Sequence, residues 1–125
     1  MEKLASQTQP GERSVHPAIG MDISLDGHLP EVRVRGEIDL SNAPVLRNQL
    51  VALAGQGGDV VVDLSSVEFL GVSGLDALCA AARLLGERDE RLLVRSPPAV
   101  TRRVIEVLNL DGLLPIISQE PLPPN

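Results

Sequence analysis

The stretch VVVDLSSVEFLGVSGL, residues 60–75, decides the fold. Its first part, Val60-Val61-Val62-Asp63-Leu64, is a nearly continuous apolar run rich in β-branched residues. Such a run reads as a strand buried at the centre of a sheet. Ser65-Ser66-Val67-Glu68 reads as a connector. FLGVSGL, residues 69–75, then leads into Leu75, Leu78, Cys79 and Ala82, whose three- and four-residue spacing marks a helix packed on a core. Ser73 reads as the cap of that helix, and Asp76 three residues later resembles the second half of a capping box. Gly86 ends the helix. A strand feeding directly into a helix is the unit of a parallel sheet with helical crossovers.

Working outward, the same unit recurs. Upstream, Met21-Asp22-Ile23-Ser24-Leu25 and Val32-Arg33-Val34-Arg35 alternate apolar and polar residues, and Asp26-Gly27-His28 supplies a turn between them. Two neighbouring strands forming a hairpin follow. Ser41 is placed to cap the next helix, with Pro44 in its first turn and Leu46, Leu50, Leu53 and Ala54 as its buried stripe. Gly55, Gly57 and Gly58 close that helix. They are no phosphate loop, because no Lys-Ser or Lys-Thr follows and the strand comes after them.

Downstream, Arg91-Leu92-Leu93-Val94 is a further inner strand. Ser96 is placed to cap a last helix whose apolar face is Val100, Val104, Val107 and Leu108, with Arg102, Arg103 and Glu106 toward water. Asn109 to Gly112 close it, and Leu114-Pro115-Ile116-Ile117 form a short edge strand, where proline is tolerated. The expected fold is α/β: one small domain with a mixed sheet of four to five strands flanked by helices. Residues 20–118 form the domain, 1–19 an N-terminal arm and 119–125 a C-terminal tail.

Composition narrows the function. The chain has 125 residues, 43% of them hydrophobic, enough for a core without metals or disulfides. Phe69 is the only aromatic residue of the Phe, Tyr and Trp class, so no stacking platform for bases exists. The net charge of −6 opposes binding to nucleic acid or anionic membranes. Arg88, Arg91, Arg95, Arg102 and Arg103 stand near acids and read as a solvated face. Cys79, alone among apolar neighbours, reads as a buried small side chain. No signal peptide or membrane span is expected, and a cytoplasmic location follows as an expectation.

Catalytic machinery is not legible. His16 lies in the arm and His28 in a turn, neither in a triad pattern. Gly71-Val72-Ser73-Gly74-Leu75 lacks the second glycine of a nucleophile elbow. Asp39, Asp63 and Asp76 have no spacing that demands a metal site, and one cysteine with two distant histidines is poor zinc material. No enzyme, cofactor or metal is expected. Ser73 is then a helix cap or a modification site. At a helix start the free N–H groups tolerate a phosphate locally, while its charge of about −1.5 to −2 would disturb a partner's surface.

Four stretches taken together resemble the STAS family, and within it the bacterial anti-sigma factor antagonists: GEIDLSNAP at 36–44, VVVDLSSVEFLGVSGL at 60–75, the helix at 74–85 and SPPAVTRRVIEVLNLDGLLPI at 96–116. The likeness covers about residues 20–118. It implies binding to an anti-sigma factor that is also a serine kinase of the histidine-kinase-like type, and release of the sigma factor. It implies phosphorylation of Ser73 as the off switch and a serine phosphatase that reverses it. The family's loop usually reads D-S-S-G or D-T-S-G. Here Ser73 and Gly74 match, while Gly71 stands for the aspartate and Val72 for the first hydroxyl residue. Asp39, matching the acid of the family's G-E-x-D, joins Gly71, Val72, Ser73 and Gly74 as the expected partner-binding set. Two alternatives stand beside this one: a static, non-phosphorylated STAS scaffold or signalling module, and a nucleotide-binding STAS domain. A weak homodimer is left open.

Overall fold

A computed structural model of the protein describes residues 20–25, 27–54 and 58–117. The expected arm, the tail and the glycines at 55 and 57 lie outside the described residues. The order is β1 (Gly20–Ser24), β2 (Glu31–Ile38), α1 (Ala43–Ala54), β3 (Val60–Leu70), α2 (Val72–Gly86), β4 (Leu92–Arg95), α3 (Ala99–Val107) and β5 (Ile116–Ile117). The strands form one sheet in chain order, β1-β2-β3-β4-β5. β1 and β2 are antiparallel, as a hairpin requires, and the other neighbours are parallel. Each parallel pair is joined through one helix.

Alternation sorts the side chains. On β2, Val32, Val34 and Ile38 are fully buried while Arg33, Arg35 and Glu37 are exposed. Val60, Val62 and Leu64 of β3 and Leu92 and Val94 of β4 join the same core. The helices supply Leu46, Leu50, Leu78, Leu85 and Ile105. The intervening strand positions carry ion pairs: Arg35 with Asp22 at 3.4 Å, Arg33 with Asp63 at 3.5 Å and Arg95 with Glu31 at 3.2 Å.

Ser65 to Glu68 are not a connector. β3 runs through them to Leu70, and two register shifts against β2 make the run look irregular in sequence. Arg33 and Arg35 face Asp63 and Ser66, and the adjacent Gly36 and Glu37 face Val67 and Phe69. β3 thus spends an extra residue twice, as β-bulges do. Each bulge flips the alternation, so the inward series runs Val60, Val62, Leu64, then Val67, then Leu70. Asp63 Oδ1 accepts the Ser65 N–H at 2.9 Å at the first bulge. At the second, Gly36 takes φ +98°, which favours glycine.

Two expected caps are displaced. α1 begins after Asn42, not Ser41, and the Asn42 side chain is fully buried because it ties the turn together. Its Nδ2 donates to the Glu37 carbonyl and its Oδ1 accepts the Asp39 N–H, each at 2.9 Å. Ser96 stands outside α3, in a left-handed turn at φ +53°, and Pro98 occupies the cap position with no side-chain hydrogen bond. The face of α3 is also rotated from expectation. Thr101 and Ile105 are buried, whereas Val100 is 76% exposed and Val107 and Leu108 face outward. The apolar residues of α3 cover an arc wider than its contact with the domain. Ile105 packs into the core, which leaves the neighbouring stripe outside.

Candidate functional site at the start of α2

The site is built where β3 hands over to α2. β3 ends at Leu70, and the Gly71 N–H donates to the Ile38 carbonyl at 3.0 Å. That bond fastens the handover to the end of β2, one residue before Asp39. Gly71 has φ −78° and ψ −178°, an extended cap conformation, and its carbonyl accepts the Leu75 N–H at 3.1 Å. α2 therefore starts at Val72, and Gly71 is its N-cap, without a side chain to close it.

Ser73 is thus the second helical residue and not the cap, and the expected capping box with Asp76 does not form. Gly71 already takes the extended conformation that a cap needs, so Ser73 is inside the first turn. The N–H groups of Val72, Ser73 and Gly74 precede the first helical hydrogen bond, which leaves the positive end of α2 around the half-buried serine. Gly74 is buried and closely packed, so any larger residue forces its neighbours to shift. A Cβ there would lie 2.5 Å from Leu70 Cδ1 and 2.9 Å from Ile38 Cγ2.

Asp39 is a turn carboxylate. Its Oδ1 accepts the Ser41 N–H at 3.0 Å and the Ser41 hydroxyl at 2.6 Å, which orders the β2–α1 turn. Its backbone carbonyl accepts the N–H of Ala43, the first residue of α1, at 2.9 Å. The expected set is nevertheless brought to one place, with Gly71 to Gly74 on one side of the Ile38–Gly71 bond and Asp39 on the other.

The apolar character of the surroundings was not read from the sequence. Leu40 and Val72 are each 79% exposed and Phe69 is 55% exposed. Leu40 and Ser73 line one shallow groove of about 300 Å³ between α1 and α2. The sequence signal was an apolar residue, Leu40, following a turn aspartate, and a lone Phe at a bulge.

The carboxylates do not assemble around Ser73. Asp63 is engaged by Arg33 and the Ser65 N–H, and Asp76 lies one turn further along the same helix. Among the described residues no group of three or more His, Cys, Asp or Glu is placed to hold a metal. Cys79 is buried, and this burial raises its thiol pKa, opposed by the charge of Arg83 and aided by that of Asp76. No helix among the described residues is long and apolar enough to cross a membrane.

A five-stranded mixed sheet in chain order, with a serine in the first turn of the helix after its central strand, defines one small α/β domain. The family model described as Mlab, STAS domain, matches residues 21–115. The anti-sigma-B factor antagonist of Bacillus subtilis is 30% identical over 99 residues, covering 79% of this chain and 88% of that protein. The anti-sigma-F factor antagonist RsfB of Mycobacterium tuberculosis is 36% identical over 68% of this chain and 70% of its own. The crystal structure of an anti-sigma factor antagonist from Mycobacterium paratuberculosis superposes with a TM-score of 0.69 at 34% identity, covering 79% of this chain and 85% of that one. Phosphorylated SpoIIAA of Bacillus, at 17% identity, a TM-score of 0.65 and coverage of 79% and 90%, shares the fold. The chain belongs to the STAS domain family, among the anti-sigma factor antagonists. That membership makes it a regulator rather than an enzyme.

Proposed function

We propose that this protein captures an anti-sigma factor at the start of α2, so releasing a sigma factor in the cytoplasm, and that phosphate on Ser73 dissolves the complex. The observation that carries the reading is a serine hydroxyl set among exposed apolar side chains, next to Val72 and across a groove from Leu40. Such side chains are the kind an interface covers and desolvates. A phosphate of charge about −1.5 to −2 inside that cover would have to be stripped of water without a matched cation, a cost that opposes association. The relatives named as antagonists support the capture. The switch is the finer part of the reading, with the anti-sigma factor as serine kinase and a serine phosphatase as its reverse.

The test has two arms. Pulldown of the organism's anti-sigma factors should recover one that binds the unmodified protein and gives up its sigma factor. Incubation with that partner and ATP should add one phosphate, mapped to Ser73, and end the binding. A static module is the second reading, favoured by Gly71 and Val72, which leave no carboxylate or hydroxyl side chain immediately before Ser73. Ser73→Glu separates the two: a large fall in affinity supports the switch, and unchanged affinity supports the static module.

A further inference from the structure

The parallel strands do not end level. β3 continues to Leu70, whereas its last pairing with β4 is Asp63 with Arg95. β4 stops there, and the chain turns at Ser96 into Pro97, Pro98 and α3. β5 stops at Ile117, the partner of Arg95. The stagger opens a cavity of about 340 Å³ outside the carboxyl ends of β4 and β5, beside the part of β3 that runs on beyond β4. Ligands of open α/β sheets bind at that end of the strands. The volume falls within the usual range of small-molecule sites, roughly 300–1,000 Å³. The cavity shares no lining residue with the groove beside Ser73.

Its lining has two parts. Leu64 and Val67 of β3, with Pro97, Pro98 and Ile117, give it apolar walls. Ser65, Ser96 and Arg102 are its polar side chains. The Ser96 Oγ is buried and has no hydrogen-bond partner, which is unusual for a buried hydroxyl. Arg102 is exposed and forms no ion pair with another described residue. Its N–H donates to the Pro98 carbonyl at 2.9 Å, the first bond of α3, so the N–H groups of Ala99, Val100 and Thr101 stand free ahead of it. A guanidinium, an unused hydroxyl and a helix N-terminus all favour negative charge. The adjoining depression shares Arg102 and Ile117 but carries Glu106 and Asp111, so an anion is drawn to the Ser96 side.

We propose that this cavity binds a small carboxylic acid with a short aliphatic chain. Its carboxylate pairs with Arg102 and accepts the Ser96 hydroxyl, and its chain lies against Leu64, Val67 and Ile117. One planar guanidinium matches one carboxylate. No Phe, Tyr or Trp lines the cavity, so a nucleobase has nothing there to stack on. The site is independent of the capture reading and gives the domain a place to sense an organic acid.

Hexanoate titrated into the isotope-labelled full chain, followed by amide proton–nitrogen correlation spectra, tests the assignment. Saturable shifts are expected at Ser65, Val67, Ser96 and Arg102, with a Kd on the order of 1 mM for so small a ligand. Arg102→Ala should weaken binding about fivefold or more, and hexanol, with the chain but no charge, should bind roughly tenfold more weakly than hexanoate. Ser96→Gly, which suits the left-handed turn at φ +53°, should weaken it about twofold or more. Arg102 is exposed, so Arg102→Ala keeps the fold, and the rest of its spectrum shows as much. No saturable shift, shifts centred outside the cavity, or wild-type affinity in Arg102→Ala would overturn the site. Inorganic phosphate binding as tightly as hexanoate would overturn the aliphatic acid as its ligand.

Discussion

Replacing Gly74 by alanine sets two opposing terms against each other at the site itself. A helix interior gains about 0.8–1 kcal/mol when glycine becomes alanine. Gly74, however, has no space for the methyl, which would stand 2.5 Å from Leu70 Cδ1, 3.0 Å from Leu70 Cγ and 2.9 Å from Ile38 Cγ2. Leu70 is only partly buried and can turn, but Ile38 is fully buried. Overpacking of this kind costs about 1–3 kcal/mol, so Gly74→Ala should be destabilised by roughly 0–2 kcal/mol net of the helical gain. Gly86 on the same helix supplies the control. Nothing lies within 4 Å of a Cβ there, so Gly86→Ala should gain about 0.5 kcal/mol. Equilibrium urea unfolding reads both, with an unchanged slope showing that the midpoints report stability. If Gly74→Ala matched or exceeded Gly86→Ala in stability, the claim that close packing against β2 and β3 favours glycine at 74 would be wrong.

Three further outcomes follow from the geometry. Burial pushes the Asp59 carboxyl up, but the hydrogen bonds and charge of Arg91 outweigh it and lower its pKa, so its contribution is present above the unfolded pKa and is lost as pH falls through the folded one. Asp59→Asn should cost about 1 kcal/mol at pH 7, and its gap from wild type in urea midpoint should close below about pH 4; a gap independent of pH would contradict the pairing. Cys79 should react with a thiol reagent at pH 8 many-fold more slowly in the native protein than in 6 M guanidinium, because burial raises its pKa and blocks access; equal rates would place it at the surface. Gly71→Asp should fold and gain about 0.3–1 kcal/mol, because the position already has cap geometry and an acid there meets the positive end of α2. The close contact is a Phe69 ring atom 3.2 Å from the new Cβ, on an exposed ring that can turn, and a stability loss above about 1 kcal/mol would show that it cannot.

Much of the fold was legible because local periodicity and burial agree. The valines of β2 and β3, the stripe of Leu46, Leu50 and Leu53, and the glycine ending α2 are each read from spacing, and the structure has them where spacing puts them. What failed was phase. Ser65-Ser66 looks like a loop because two polar residues interrupt an apolar run, yet a bulge absorbs the extra residue and β3 continues. α3 failed for a related reason. Val100, Val104, Val107 and Leu108 make a fair helical stripe, but the neighbouring Thr101 and Ile105 face inward, and nothing in a single sequence says which of two adjacent stripes a nine-residue helix buries.

The site repeats the lesson at finer scale. Ser73 was placed correctly at the start of a helix and wrongly by two residues, because a hydroxyl is the usual signature of a cap and glycine is a quieter one. The difference changes the chemistry. A capping hydroxyl would accept a helix N–H and turn inward, whereas at the second helical position Ser73 is free of that duty and lies on the wall of the α1–α2 groove. Gly71 therefore has a consequence beyond the lost carboxylate. It moves the cap to a residue with no side chain and leaves Val72 and Ser73 as the first two side chains of α2. A partner meeting this helix end finds an aliphatic group and a hydroxyl beside Leu40, with no negative charge between Gly71 and Gly74 to desolvate. Binding through apolar cover is easier on such a surface than on one carrying an aspartate, and a single added phosphate is the larger change for it.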